Sequence, residues 1–365
     1  MRLLIVYTQA GEGHRRAATA LYNYLLESHK ELEIKLIDTL DYSSLLFRSV
    51  YNQLYTLCIT RMPWIWAGAY HLSRIRLMRP VIKQLRYFVN GFNTAGFVKF
   101  LSEYRPDAVV VTHFLPSAVI SCLREKKRIN TRLISVITDY NVHPFWLTSA
   151  TDIYTAPCAY ARDELIADNV PPEKIKITGI PVDPKFTAKY DKGEIRLKLG
   201  IPDKRFTVLL ATSGFGIGPI EKIADLLHND VQLLVVCGRN EKLYKKLLSK
   251  NYPSAKIFGF VNNMEELMAS CDIFITKPGG MTITESLTMG TPMMFISAIP
   301  GQETRNAAIM AGYGVAIIPE DLSALKKDIL ELKKDPGKLS LMREKVSRIR
   351  KPLASKEISE CFLPR

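Results

Sequence analysis

The strongest constraint on this chain is an alternation of short apolar runs with longer amphipathic segments, played out twice. Runs at 3–7, 33–37, 108–112, 133–138 and 175–178 read as strands, and helical patterns begin near His14, Pro116 and Cys158. Apolar strands separated by helices make a parallel sheet covered by helices. The stretch ITGIPVDPKFTAKYDKG, 177–193, then breaks the pattern with Pro181, Pro184 and many polar residues, and reads as a linker. The alternation restarts with strands at 206–212, 232–237, 257–258, 273–276, 293–296 and 315–317. Helices are expected between them around 224–227, 242–250, 264–270, 283–289 and 305–311. Two successive α/β units follow from this, with a cleft expected between them.

The formal net charge of +14 favours an anionic partner: nucleic acid, an anionic membrane or a phosphorylated substrate. The excess is concentrated. From 42 to 102 there is no Asp or Glu, while the stretch holds eight Lys or Arg together with Trp64 and Trp66. Basic residues beside exposed aromatics suit a helix lying in a membrane interface. Trp64, Trp66, Arg74, Arg76, Arg79, Lys83 and Arg86 are the expected membrane-facing residues. A basic helical surface with its aromatics packed inside is the structural alternative. A nucleic-acid patch lacks any supporting motif. Six scattered cysteines without CxxC spacing argue against a zinc site or a disulfide framework. No basic leader precedes the first strand, and no run of about 18 apolar residues could cross a bilayer.

Three glycine-containing turns follow expected strands. In Gly11-Glu12-Gly13-His14 the dinucleotide fingerprint fails, because Arg16 stands where a small residue is needed. No Walker-type loop is present either. Glu12 would repel a phosphate, so this turn suits a neutral group. His14 stands in the first turn of a helix, at the carboxyl end of the first strand, where open α/β sheets place ligands. The helix N-terminus would keep its imidazole neutral and able to take a proton; a polar residue starting a helix is the plainer reading. The second turn, Thr212 to Gly218, offers backbone N–H groups to a phosphate, or is a simple loop. The third, FITKPGGMTITE at 274–285, opens a helix at Gly279-Gly280 and sets Thr282 and Glu285 on one face. A carboxylate there can accept two hydrogen bonds from a ribose diol while the N-terminal amides hold phosphate.

With GEGH at 11–14, ITDYNVHPFW at 137–146, ITGIPVDPKF at 177–186, GFVNNMEELMASCDIFITKPGGMTITE at 259–285 and PGQETRNA at 300–307, the chain resembles a GT-B glycosyltransferase. More narrowly, it is similar to monogalactosyldiacylglycerol synthases and processive diacylglycerol glucosyltransferases, and more distantly to MurG-type transferases. The resemblance implies two Rossmann-like domains, 1–185 for the acceptor and membrane and 186–345 for a UDP-sugar. It also implies a segment, 346–365, that crosses back to the first domain, with 339–351 or the tail after it as the crossing helix. His14 would be the general base, with Gly11, Gly13, Asp139 and His143 on the acceptor side. Phe260, Val261 and Met264 would border uracil; Gly279, Gly280 and Thr282 would face the diphosphate with Ser213 and Gly214 opposite; Glu285 would bind ribose. Gln302 and Glu303 would contact the sugar, and Asn306 would support that loop. The implied reaction is inverting hexosyl transfer to diacylglycerol, or to its glycoside, at the cytoplasmic face of the membrane, with no metal, no other cofactor and no nucleic-acid partner. A polyprenyl-diphosphate acceptor for N-acetylglucosamine, or a non-catalytic sugar-nucleotide or lipid binder, are the alternatives.

Overall fold

The computed structural model describes the chain apart from residues 10, 45–47, 50–61, 76, 78–93, 203, 213, 364 and 365, and apart from the side chains at 63, 65–67 and 69. The chain groups into two units: Met1–Pro184 with Ile299–Arg305 and Lys351–Arg365, and Lys185–Ala298 with Asn306–Arg350. Each is built on a six-stranded sheet in which every strand pairing is parallel.

The first unit runs β1 (Arg2–Tyr7), α1 (Glu12–Ser28), β2 (Glu33–Asp38), α2 (Pro63–Arg74), α3 (Ala95–Tyr104), β3 (Ala108–Val111), α4 (Phe114–Glu125), β4 (Arg132–Val136), β5 (Ile153–Ala156), α5 (Ala159–Ala167) and β6 (Ile175–Ile177). Its strand order is β2-β1-β3-β4-β5-β6. Successive side chains point to opposite faces of a strand. Leu3, Ile5 and Val110 therefore pack with Ala18, Leu21 and Leu25 of α1, while Leu4, Val6, Val109 and Val111 meet Phe97 of α3 and Ile120 of α4. A strand covered on both faces is apolar at nearly every position, and this is why the central strands β1 and β3 read as unbroken runs.

The second unit runs α6 (Lys192–Lys198), β7 (Thr207–Ala211), α7 (Ile220–Leu227), β8 (Gln232–Val236), α8 (Glu241–Ser249), β9 (Ala255–Phe258), α9 (Met264–Ser270), β10 (Ile273–Thr276), α10 (Gly280–Met289), β11 (Met293–Phe295), α11 (Gln302–Gly312, from Asn306 on), β12 (Ala316–Ile317), α12 (Leu322–Lys334) and α13 (Pro336–Ile349). Its order is β12-β11-β10-β7-β8-β9. In both sheets the chain builds out to one side of its first strand and then to the other. The reversal falls between β1 and β3 in one sheet and between β7 and β10 in the other. Such switch points open a crevice at the carboxyl ends of the strands.

Several expectations need correction. β5 was not anticipated, because its four residues alternate with polar neighbours too briefly to show a period. The 177–193 stretch is packed rather than a loose linker: Ile180, Val182 and Phe186 are buried, and α6 begins within it. Gly179 takes φ +84°, and a Cβ there would come 2.4 Å from the Lys351 side chain. Of the two candidate crossing helices, α13 stays with the second unit. The tail after it, α14 (Ala354–Ser359), packs on the first, where Ile358 and Phe362 join the Leu21 and Leu25 cluster of α1. Residues 299–305 were expected within the continuous 186–345 stretch, but they group with the first unit. The Gln302 amide bonds Asp139 and the Arg305 guanidinium bonds Glu164, which ties that loop to the first sheet.

Candidate active site

The turn after β1 needs glycine for a definite reason. Gly11 caps α1 with φ 85° and ψ 166°, a conformation that residues with a Cβ rarely adopt. The helix then starts at Glu12 and puts His14 in its first turn, beside the end of β3. The His14 Nδ1 lies 2.6 Å from the Thr112 carbonyl oxygen and 2.9 Å from Thr138 Oγ1. A carbonyl only accepts, so Nδ1 carries the proton and the Nε2 lone pair is the basic one. Thr112 Oγ1 donates in turn to the His14 carbonyl, at 2.9 Å, and His113 abuts the imidazole edge-on at 4.6 Å between centroids.

Burial pushes the His14 imidazole down to about 4, and the Thr112 carbonyl acts against that shift. The ring is therefore neutral near pH 7, as expected, but with burial rather than the helix terminus as the main cause. Thr112 and Thr138 were not singled out beforehand. Their signal was a hydroxyl residue at the carboxyl end of an apolar strand. Glu12 is paired with Arg15, Oε2 to NH2 at 2.6 Å, so its negative charge is largely cancelled. The argument from Glu12 against a phosphorylated acceptor loses its force.

Asp139 and His143 lie on the loop after β4. Asp139 accepts a hydrogen bond from the Gln302 amide at 2.5 Å. His143 uses both nitrogens: Nδ1 accepts from the Phe145 amide, and Nε2 meets Ser73 Oγ at 2.8 Å. It holds α2 in place and is not available as a base. Tyr70 reinforces that contact by donating to Asn141 Oδ1 at 2.6 Å.

Tyr70, Ser73 and Arg74 thus form the inward face of α2. Arg74 pairs with Glu164 and donates to the Val142 carbonyl, so it does not offer a free cation to a lipid face, contrary to expectation. Trp64 at 71% exposure, with Leu72, Ile75 and Leu77 also exposed, forms an outward apolar edge. The Trp66 side chain, Arg76, Arg79, Lys83 and Arg86 lie outside the described residues. A shallow depression of about 600 Å³, lined by Asp107, Arg132, Asp152 and Lys174 among others, opens at the amino ends of β3–β5. That is the opposite end of the sheet from His14.

In the second unit the switch point brings the loop after β7 next to the Lys277–Gly280 turn after β10. Ser213 lies outside the described residues. Gly214 opens a loop whose Gly216 and Gly218 both take positive φ. The amide of Asn306, fully buried, donates to the Pro278 carbonyl at 3.1 Å, which fixes the turn that leads into Gly279 and Gly280. α10 has no side-chain cap and no acidic residue in its first turn, which leaves N–H groups for an anion. Thr282 is half-buried and Glu285 is buried on this helix. Phe260 is exposed, with Val261 and Met264 half-buried beside it in sequence. Glu303 turns back onto its own loop, where its Oε2 accepts from the Ile299 amide at 2.7 Å.

Two family models match consecutive parts of the chain. One is described as monogalactosyldiacylglycerol (MGDG) synthase and spans residues 14–182; the other, glycosyltransferase family 28 C-terminal domain, spans 217–358. A processive diacylglycerol beta-glucosyltransferase of Bacillus pumilus is 30% identical over 268 residues, covering 72% of this chain and 70% of that protein. The chain belongs to the MGDG synthase family of glycosyltransferases. This glycosyltransferase is also 28% identical over 360 residues to the processive diacylglycerol beta-glucosyltransferase of Staphylococcus carnosus, covering 94% of the chain and 88% of the relative. Its fold is GT-B. The crystal structure of Acinetobacter baumannii MurG matches with a TM-score of 0.65 at 14% identity, over 99% of this chain and 98% of that one. Anabaena Alr3699/HepE, solved in complex with UDP, matches with a TM-score of 0.57 at 15% identity, over 99% of both chains. None of the enzyme's helices, among the described residues, is long and apolar enough to cross a membrane.

Proposed function

We propose that this glycosyltransferase moves a hexose from a UDP-sugar to the hydroxyl of diacylglycerol, or of a glycosyl-diacylglycerol, at the membrane surface. The transfer inverts the anomeric carbon, and His14 is the general base. The observation that carries this reading is the state of His14: Nδ1–H engaged by the Thr112 carbonyl, the ring neutral, the Nε2 lone pair free to accept, all at a switch point. In the step itself the acceptor oxygen bonds to the anomeric carbon while that carbon's bond to the UDP oxygen breaks. The hydroxyl proton passes to Nε2, and UDP leaves with the bonding electrons. An imidazole near 4 is a weak base, so the proton moves late, once the acceptor oxygen has become acidic by bonding to carbon. One displacement on an α-linked donor gives a β-glycoside, in keeping with the names of the Staphylococcus and Bacillus relatives.

The donor rests on the second unit. The uncapped start of α10 at Gly279, Gly280 and Thr282 faces the diphosphate, with Gly214 on the other side. These amides stabilise the departing charge by preorganised hydrogen bonding. Phe260, Val261 and Met264 border uracil, Gln302 and Glu303 reach the sugar, and Asn306 holds the Pro278 turn. Gly11, Gly13, Asp139 and His143 shape the acceptor side. Glu285 receives the ribose hydroxyls. Hydrogen bonds to a charged group contribute about 1.5–3 kcal/mol each, so Glu285→Gln is expected to weaken UDP binding about tenfold or more in calorimetry. Affinity for inorganic pyrophosphate should not change; equal loss of both would remove Glu285 from the ribose site.

The lipid surface is met by the outward apolar edge made by α2 and the residues just after it. Replacing Trp64 and Leu77, 71% and 84% exposed, by serine is expected to lower partitioning onto anionic vesicles about tenfold or more. The melting temperature should stay put, and unchanged partitioning would assign the interface elsewhere. The whole reading is tested with vesicles containing diacylglycerol and a panel of UDP-sugars, followed by mass spectrometry of the lipids. A hexosyl-diacylglycerol is the expected product. UDP release only with a polyprenyl-diphosphate acceptor would overturn the choice of lipid.

A further inference from the structure

One side chain of the second unit stands at the proposed nucleotide site without having been picked out in the sequence. β8 ends in the turn Cys237-Gly238-Arg239-Asn240, at the carboxyl side of the sheet. Three contacts lock this turn to the loop after β7. The Arg239 backbone amide donates to the Gly214 carbonyl at 2.8 Å, and the Asn240 side-chain Nδ2 donates to the Gly216 carbonyl at 3.4 Å. Gly216, at φ +60°, sits so close to Cys237 that a Cβ would come 2.1 Å from its carbonyl oxygen. The backbone of Arg239 is therefore fixed, while its side chain is exposed.

The guanidinium lies over the Phe260 ring, 5.1 Å from its centroid. Phe260 is itself 54% exposed. Among the described residues no carboxylate is paired with Arg239. The result is a planar five-donor fork seated on an open aromatic face, beside a loop rich in backbone amides. A guanidinium has donors and no acceptor. A flat ring that presents carbonyl oxygens along its edge matches it; a ring edge that presents an amino group does not.

We propose that Arg239 is a specificity-determining residue for the donor nucleobase: with its guanidinium seated on Phe260, it donates to the C4 carbonyl oxygen of uracil and disfavours bases that carry an exocyclic amine in that place. This rests on the reading of the second unit as the UDP-sugar site. The test is calorimetric titration of UDP, CDP, ADP and inorganic pyrophosphate into the full chain, with Arg239→Met, Arg239→Lys and Phe260→Leu beside the wild type. Arg239→Met is expected to weaken UDP about tenfold, a loss typical of one charge-assisted hydrogen bond. It should also narrow the preference for UDP over CDP and leave pyrophosphate unchanged. Arg239→Lys should recover only part of the UDP affinity, since an ammonium lacks the planar fork. Phe260→Leu should weaken UDP while sparing pyrophosphate.

Wild-type UDP binding that Arg239→Met does not alter would overturn this inference alone. So would equal weakening of UDP and pyrophosphate, which would make Arg239 a general attraction for anions. Failure of the wild type to bind UDP at all would overturn the donor-site reading, and this assignment with it.

Discussion

Replacing His14 with alanine is expected to lower the turnover number by about a hundredfold to ten-thousandfold, the range that a positioned general base contributes. UDP affinity should be unchanged, since the residues proposed to hold UDP itself belong to the second unit and His14 to the first. The pH profile carries a sharper signature. The native imidazole lies at about 4, so the base stays in its active, neutral form down to acidic pH. kcat/KM should be flat across pH 5.5–8, with an acid limb below about 5. An inflection near 6.5, the value of an unperturbed histidine, would contradict the desolvated, Thr112-bound state. The same shift links to stability. The unfolded chain takes up a proton at His14 near 6.5 and the native chain only near 4. The native state therefore loses stability as pH falls from 6.5 toward 4, with no further contribution from this group below that. His14→Ala removes that slope, which chemical denaturation at a series of pH values would read. Wild-type turnover in His14→Ala, with the fold intact, would end its assignment as the base.

The other large effect is structural. Asp272, just before β10, gathers three cations. Its Oδ1 is 2.6 Å from Lys192 Nζ and 3.0 Å from Arg343 NH2, and its Oδ2 is 3.1 Å from Arg196 NH2 and 2.8 Å from the Thr207 amide. Burial alone would raise its carboxyl, but Lys192, the Thr207 amide and Arg196 outweigh that and hold it below the usual range. Arg196 is buried on α6, and it also donates to the Ser270 carbonyl at 2.9 Å. Asp272→Ala leaves this guanidinium without its counter-ion. Breaking a buried pair from one side costs about 3–5 kcal/mol, which corresponds to a drop in Tm on the order of 10 °C for a unit of this size. Scanning calorimetry reads it directly, and a shift under about 2 °C would show that the cluster contributes little. A depressed carboxyl stabilises above its unfolded value near 3.9, and the contribution is lost as pH falls through the lower native value. The wild type should therefore converge on the Asp272→Ala variant in strongly acid solution.

Much of the architecture was legible. The inner strands β1, β3, β7, β8 and β10 appear as nearly continuous apolar runs because both of their faces are covered. The glycines at 11, 216 and 218 appear where φ is positive, and Gly279-Gly280 opens α10 as the motif suggested. The misreadings share a cause, which is that short segments take their structure from what they pack against. β5 is a strand because β4 and β6 flank it, and 299–305 joins the first unit through Asp139 and Glu164. Arg74 looked like one cation of a basic run, but Glu164 and the Val142 carbonyl claim it.

Hydrophobic period and turn chemistry, both local, are enough to determine two β/α units and to set His14 and Gly279-Gly280 just past strand ends. The electrostatic state of those residues was decided only in three dimensions. The proton on His14 is assigned by Thr112 and Thr138, 98 and 124 residues away in sequence. The cation over Phe260 comes from a turn on another strand. Periodicity reports which face of an element is buried, whereas a pKa, a tautomer or a stacked guanidinium depends on the few ångströms around one atom, and the chain fills that space only when it folds.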